Sequence, residues 1–241
     1  MSSVTEEIYL EILLRVPVRS TFTCKCVCKT WFSIISNPSF VKMHLNLTIQ
    51  RNNPTLMLKG CNDNSEDEFT NAVYSIGYDT LLSPVTDSAD DVFELDDPFK
   101  PLVNYVNLKG SCNGLLCLGY GNDSEEFFCL WNPATKEIKI IPKSPTEYED
   151  VHSEVFDFVY DWKTDDYKLI ILVIFEGDKD RCLVDVYSLA SNSWRVNKPP
   201  PPYMFPFRRE IGEIVNGALH WLCKTPDGCS TLVISLDVSD E

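Results

Sequence analysis

Near residue 50 the spacing of apolar residues changes from the period of a helix to that of a strand, and the balance of charge changes sign at the same place. Residues 1–51 hold six basic side chains (Arg15, Arg19, Lys25, Lys29, Lys42, Arg51) against three acidic ones (Glu6, Glu7, Glu11), so 15 basic and 33 acidic residues remain for the rest of the 241-residue chain. A joint shift of period and charge marks a domain boundary. With 44% hydrophobic and 12% aromatic residues the chain has enough apolar surface for a real core. Its net charge of −15 and pI near 4.6 argue against partners recognised through phosphates, both nucleic acids and acidic membrane leaflets.

Before the boundary, Ile8, Ile12, Leu13 and Val16 recur at helical spacing, widened by Leu10 and Leu14, and Pro17 ends the stripe. Ser20 is a good N-cap for a second helix carrying Val27, Trp31, Ile34 and Ile35, and Asn37-Pro38-Ser39 breaks it and caps a third with Phe40, Met43 and Leu47 on one face. Three short helices are therefore expected. Within the second, Cys24 and Cys28 would share a face and Cys26 would point away, so the three do not converge. A zinc site wants paired cysteines with a second pair or histidines at matching distance, and His44 alone is near. The expectation is small, buried helix residues and no metal.

Fifty residues of short helix cannot bury this much apolar surface alone, so part of it must meet a partner. The run "EIYLEILLRVPVRSTFTCKCVCKTWFSIISNPSFVKMHL" resembles an F-box, the motif that docks onto the Skp1 adaptor of a cullin-RING ubiquitin ligase. Three connected blocks carry the likeness: "EILLRVPVRS", "CVCKTWFSII" and "NPSF". The resemblance implies that Ile8, Ile12, Leu13, Val16, Pro17, Val27, Cys28, Trp31 and Ile35 form the Skp1-facing surface and its supporting core. One departure stands out. Val4 and Thr5 occupy the places where such motifs usually open with Leu-Pro, and losing that proline removes a preset N-terminal turn.

After the boundary the pattern alternates, with turn signals at short intervals. "LWNPATKEIKIIP" (130–142) reads as strand, turn, strand, and "VYSLASNSWRV" (186–196) repeats it about 56 positions later. "NGLLCL" (113–118) corresponds to "NGALHWL" (216–222), and "CLWNPATKE" (129–137) corresponds loosely to "ISLDVSDE" (234–241), at offsets of about 103 to 105. Repeated units of roughly fifty residues and four strands are the signature of β-propeller blades. In the second of these copies no counterpart of "IKIIP" follows, so the expectation is either a chain cut inside a blade or an irregular sheet assembly that needs no closure. The expected class is α+β, mainly β: a small three-helix F-box at 1–50, a connecting region with the first strands at 51–110, and an antiparallel β domain of propeller-like blades at 111–241, cut within a blade. The motif order over about 100–241 also resembles the F-box-associated domain of plant proteins, a group that includes the S-locus F-box proteins. That likeness implies a kelch-like or propeller-like module that captures a protein substrate.

Signals for catalysis are weak. There is no phosphate-binding glycine loop and no nucleophile elbow, and His44, His152 and His220 are scattered. Acidic runs such as "NSEDEF", "DSADDVFELDDPF" and "TEYEDVHSE" read as solvated loops that steer a basic partner, not as a fixed carboxylate pair. "NKPPPPYMFPF" reads as a rigid connector between β units, ahead of a polyproline ligand. Trp131, Trp162, Trp194 and Trp221 read as core fillers, and His220 as a packed strand residue. No export signal and no membrane-spanning run is present, which points to the cytosol or nucleus, reduced cysteines and unused sequons at Asn46 and Asn122. The resulting expectation is a non-catalytic subunit without cofactor that joins a Skp1-like adaptor, and through it a cullin-RING ligase, to an unidentified protein. The alternative is a stand-alone propeller-like binding module whose degenerate F-box, marked by Val4-Thr5, serves no ligase; a carboxylate-pair enzyme is a remote third.

Overall fold

In the computed structural model, residues 5–51, 54–60, 72–78, 92–122, 126–146, 151–175, 182–197, 212–224 and 229–239 are described. The acidic run at 64–69, residues 87–91 and 147–150 of the other two acidic runs, residues 198–207 of the proline-rich segment, the side chain of His152 and Val4 lie outside them. The chain divides into two compact units, one of residues 1–106 with 132–137 and the other of 107–131 with 138–241.

Four helices open the chain: α1 (Glu6–Leu13), α2 (Val18–Cys24), α3 (Lys29–Ile35) and α4 (Pro38–Arg51). The single second helix expected from the sequence is two. Its first half starts directly after Pro17, whose carbonyl accepts the Ser20 and Thr21 N–H groups, so Ser20 is not a cap. Its continuation fails at "TCKCVC", a stretch of Thr, Val and Cys with poor helix propensity. The Cys26 and Val27 amides bond only three residues back, to Thr23 and Cys24, and Cys28 is fully extended (φ −161°, ψ 167°). Cys28 then opens α3 as its N-cap, its Sγ accepting the Trp31 N–H at 3.5 Å. The Asn37 side chain caps α4 through the Ser39 N–H at 2.9 Å, as the sequence indicated.

Leu13, Ile34, Ile35 and Phe40 form the buried helical core, with Tyr9, Leu10, Leu14, Cys24 and Trp31 packed around them. Tyr9 meets Trp31 edge to face at 6.1 Å. His44, scattered in sequence from any partner, is buried, and its Nε2 lies 2.8 Å from the Val16 carbonyl. Pro17 cannot donate to the chain there, and the imidazole ties the α1–α2 corner to α4.

Four antiparallel sheets follow. The first is β1 (Thr55–Gly60), β2 (Ala72–Gly77) and β3 (Val92–Glu94), with β2 central. The second runs in order β4 (Tyr105–Cys112), β5 (Leu115–Gly121), β6 (Glu126–Asn132), β7 (Glu137–Ile140), and the third in order β8 (Val151–Asp161), β9 (Asp166–Phe175), β10 (Cys182–Ser188), β11 (Ser193–Asn197). The fourth holds β12 (Glu213–Val215), β13 (Ala218–Lys224) and β14 (Thr231–Asp237). Each is an up-and-down meander, the architecture of a propeller blade.

The repeats seen in sequence are repeats of turn chemistry. Asn113-Gly114 and Asn216-Gly217 both have positive φ at both residues, 52° and 82° in one and 54° and 83° in the other, and each joins two strands as a two-residue hairpin. The longer hairpins share another device. Asn132 Oδ1 accepts the Ala134 and Thr135 N–H groups, Asp161 Oδ1 accepts those of Lys163 and Thr164, and Ser188 Oγ accepts that of Ser191. Four residues after each of these caps stands a left-handed residue, Lys136 (φ 60°), Asp165 (φ 57°) or Asn192 (φ 52°).

The longest apolar run, "LIILVIF", is β9, and it is buried on both faces. Ile170 and Leu172 join Val155, Val184, Leu219 and Trp221 in one core, while Leu169, Ile171 and Val173 join Cys117, Leu130, Phe158 and Tyr187 in the other. Two buried carboxylates on β8 stitch the third sheet to the fourth. Asp157 accepts the Trp221 Nε1–H at 2.7 Å and the Gly212 N–H at 2.8 Å, and burial nevertheless pushes its carboxyl up. Asp161 lies 3.3 Å from Lys168, whose Nζ donates to the Val238 carbonyl at 2.7 Å. Burial opposes ionisation of Asp161, but donors from Thr164, Ser239, the Lys163 amide and Lys168 together hold it well below the usual carboxylate range.

Two outcomes are expected. Because Asp161 is depressed in the folded chain, its contribution to stability is present above its unfolded pKa of about 3.9 and is lost as pH falls below it. Asp161→Asn should lower stability in urea unfolding at pH 7 by about 3–5 kcal/mol, since it removes the carboxylate that faces the buried Lys168 charge, and should flatten the acid limb. A Cβ on Gly110 would sit 2.8 Å from the Phe158 Cβ, so Gly110→Ala should cost about 1–3 kcal/mol by forcing β4 from β8.

Candidate functional site

The helices present two classes of apolar residue. Of the nine positions implied by the F-box likeness, Leu13 and Ile35 are buried core, Val16 and Trp31 are half-buried, and Ile8, Ile12, Pro17, Val27 and Cys28 are exposed. Ile8 and Ile12 are one turn apart on α1 and about half exposed, at 50% and 47%. Val27, in the turn between α2 and α3, is 62% exposed. Lys25, Cys26, Cys28, Lys29 and Phe32 line a shallow hollow beside it.

Sequence reasoning missed Val18, Phe22, Phe32, Val41 and Ile49, all exposed. A signal was available for three of them: Val18 and Phe22 are spaced i, i+4, and Phe32 follows Trp31 directly, so both rings cannot face the same core. For α4 the buried face is Phe40 and His44; Met43 is exposed and Leu47 half-buried, so the expected Phe40–Met43–Leu47 face is rotated by part of a turn.

The cysteines are also redistributed. Cys26 and Cys28 are exposed and Cys24 half-buried, contrary to the expectation of three buried thiols on one helix, because the helix breaks between them. The buried ones lie in the sheets: Cys117, Cys129 and Cys223. Burial pushes the Cys117 thiol far up. Among the described residues no group of His, Cys, Asp and Glu could hold a metal ion, and no helix is long and apolar enough to cross a membrane.

In the β domain Trp131 and Trp221 are core, and Trp194 is half-buried, donating Nε1–H to the Pro142 carbonyl at 2.7 Å. Trp162 overturns the core expectation: it is 66% exposed, because it falls in the β8–β9 turn and not on a strand, and its indole lies over Gly217. His220 is a half-buried strand residue whose Nδ1 lies 3.0 Å from the Ala218 carbonyl. Lys109 sits 3.7 Å from the Phe156 ring centroid and 3.4 Å from Glu126. The neighbouring Glu154 is raised by burial, against the pull of Lys109. This clip joins β4, β6 and β8 through cation–π and ionic contact and is a packing device.

The sequence model of the F-box domain matches residues 1–43, and that of the F-box associated beta propeller domain matches residues 67–241. The chain belongs to the F-box proteins with an associated β-propeller domain. Among curated relatives, F-box/kelch-repeat protein At3g23880 of Arabidopsis thaliana is 30% identical over 97% of this chain and 62% of its own length. F-box protein CPR1 of Arabidopsis thaliana is 26% identical over all of this chain and 59% of its own length. The chain thus spans about three fifths of these relatives. The F-box match contains all nine implied positions, and the propeller match takes in β2 to β14.

The contrast between the two classes of cysteine can be read directly. Iodoacetamide on the native chain, followed by peptide mass spectrometry, should label Cys26, Cys28 and Cys229 within minutes and leave Cys117, Cys129 and Cys223 unlabelled until denaturant is added.

Proposed function

We propose that this chain is the substrate-recognition subunit of a Skp1–cullin–F-box ubiquitin ligase. Its four helices dock on a Skp1-like adaptor, and its β domain holds a target protein. The observation that carries this reading is a helical F-box segment with a closed core of Leu13, Ile34, Ile35 and Phe40 that still exposes Ile8, Ile12, Phe22, Val27 and Phe32. Exposed apolar groups of this size on so small a unit mark a docking surface. The adaptor contact then rests on Ile8, Ile12, Val16, Pro17, Val27 and Cys28, joined by Phe32. Leu13, Trp31 and Ile35 hold these in place from inside.

The ligase contribution of the chain is proximity: it brings a target to a ubiquitin-charged enzyme held by other subunits and supplies no reacting group. A target with a basic surface suits the 15 basic and 33 acidic residues beyond residue 51. None of the eight described cysteines forms a disulfide, which suits a reducing compartment, cytosol or nucleus.

A second reading, a binding module without ligase partnership, is favoured by one position. Thr5 is the N-cap of α1, in extended conformation and without a side-chain cap bond, where related motifs place proline.

Co-purification with a plant Skp1 adaptor separates the two. The wild-type chain should form a 1:1 complex. Ile12→Glu with Phe32→Glu should keep the helical circular dichroism and lose the complex by at least tenfold in affinity. Ile35→Ala should instead lower stability by about 2–5 kcal/mol, as a buried truncation does. A folded wild-type chain that fails to bind, while Thr5→Pro binds, would assign the defect to the α1 cap; failure of both would favour the stand-alone module.

A further inference from the structure

The break between α2 and α3 brings together chemistry that apolar docking alone does not need. Lys25-Cys26-Val27-Cys28-Lys29 sets two exposed thiols between two lysines. Both thiols and both lysine side chains line one open hollow of about 350 Å³, with Phe32 as its aromatic wall. Sites for small molecules begin at about 300 Å³. The charge around it is of one sign, because no Asp or Glu occurs between residues 12 and 51, whereas Arg15, Arg19, Lys25, Lys29, Lys42 and Arg51 do. The two sulfurs differ in their bonding: Cys28 Sγ accepts the Trp31 N–H at 3.5 Å, and Cys26 Sγ donates to the Phe22 carbonyl at 4.0 Å. Exposed thiols in electropositive surroundings are the ones that react.

We infer that this hollow is a thiol-modification site at which Cys28 takes up an anionic, low-molecular-weight disulfide of the glutathione class. The lysines concentrate the carboxylates of the reagent beside the sulfur, and the hollow has room for the tripeptide. The step is a thiol–disulfide exchange. The Cys28 thiolate attacks one sulfur of glutathione disulfide, the S–S bond of the reagent breaks, and a Cys28–glutathione S–S bond forms. Glutathione thiolate leaves and takes up the proton that Cys28 had released to solvent. Cys28 is thereby oxidised and the departing glutathione reduced, so no other oxidant is consumed. The product is reversible by thiols. Its consequence rests on the docking reading proposed above: a bulky anion beside Val27 and Phe32 occupies the face assigned to the adaptor and blocks it.

The probes are oxidised glutathione, an anion, and cystamine, a cation with the same S–S chemistry. Each is mixed with the reduced 241-residue chain and adducts are followed by peptide mass spectrometry, with exposed Cys229 as the internal reference. Oxidised glutathione should modify Cys28 at least fivefold faster than Cys229, and cystamine should show no such preference. The preference should vanish in the Lys25→Gln, Lys29→Gln double variant and near 1 M salt, where the Debye length is about 3 Å. Cys28→Ser, which keeps a capping oxygen for α3, should abolish the adduct, and Cys26→Ser should retain it. Equal rates at Cys28 and Cys229, or a preference indifferent to salt and to the lysines, would overturn the proposal. In a second step the glutathionylated chain should bind the plant Skp1 adaptor at least tenfold more weakly and recover on reduction with dithiothreitol. Undiminished binding by the adduct would overturn the blocking role. A reduced chain that fails to bind would count against the docking reading, while the adduct rates decide the thiol site independently.

Discussion

The β domain depends on one strand with no polar face. In a lone antiparallel sheet, alternation would give β9 an apolar side and a wet side, but Leu169 through Val173 are all buried. Ile170 and Leu172 belong to one core while Leu169, Ile171 and Val173 belong to the other. The third sheet therefore cannot exist as an isolated meander; it requires a neighbour on each face. Stacked units that cannot bury themselves alone are the physical basis of every repeat fold. The polar stitches follow from the same constraint. Asp157 and Asp161 are affordable inside only because Trp221, Gly212, Lys168, Thr164 and Ser239 surround them with donors.

How much of this was legible in the sequence follows the range of the interactions. The Asn113-Gly114 and Asn216-Gly217 turns could be read directly, since left-handed conformations at two adjacent positions select those residues locally. The copy at 186–196 of the hairpin at 130–142 was equally legible as strand, turn, strand, but the left-handed conformation of Lys136 was not, because lysine carries no local preference for it. The break at 25–28 was not read correctly, because the apolar spacing of Val27, Trp31 and Ile35 suits a continuous helix and only the weak propensity of "TCKCVC" argues against it. Trp162 failed for a different reason. Spacing along the chain measures rhythm, and a turn residue keeps the rhythm while leaving the strand.

The F-box segment divides its apolar residues between two tasks, and the sequence does not mark which residue does which. Ile12 and Leu13 are adjacent leucine-like residues on one helix, yet Ile12 is 47% exposed and Leu13 is fully buried. Periodicity merges them into one wide stripe. Only the position of α3, which brings Trp31, Ile34 and Ile35 against Tyr9, Leu10, Leu13 and Leu14, separates core from surface. That separation matters for interpreting any variant: a change at Leu13 or Ile35 acts on folding first, whereas a change at Ile8 or Ile12 acts on what the helix can touch.

Charge sorts partners where apolar area alone would not. The hollow beside Val27 is flanked by Lys25 and Lys29, within a segment of net positive charge, while the strands belong to a strongly acidic remainder. On these charges an acidic partner would favour the helices and a basic one the β domain. Under the proposed function, opposite signs of charge would keep adaptor docking and target docking separable.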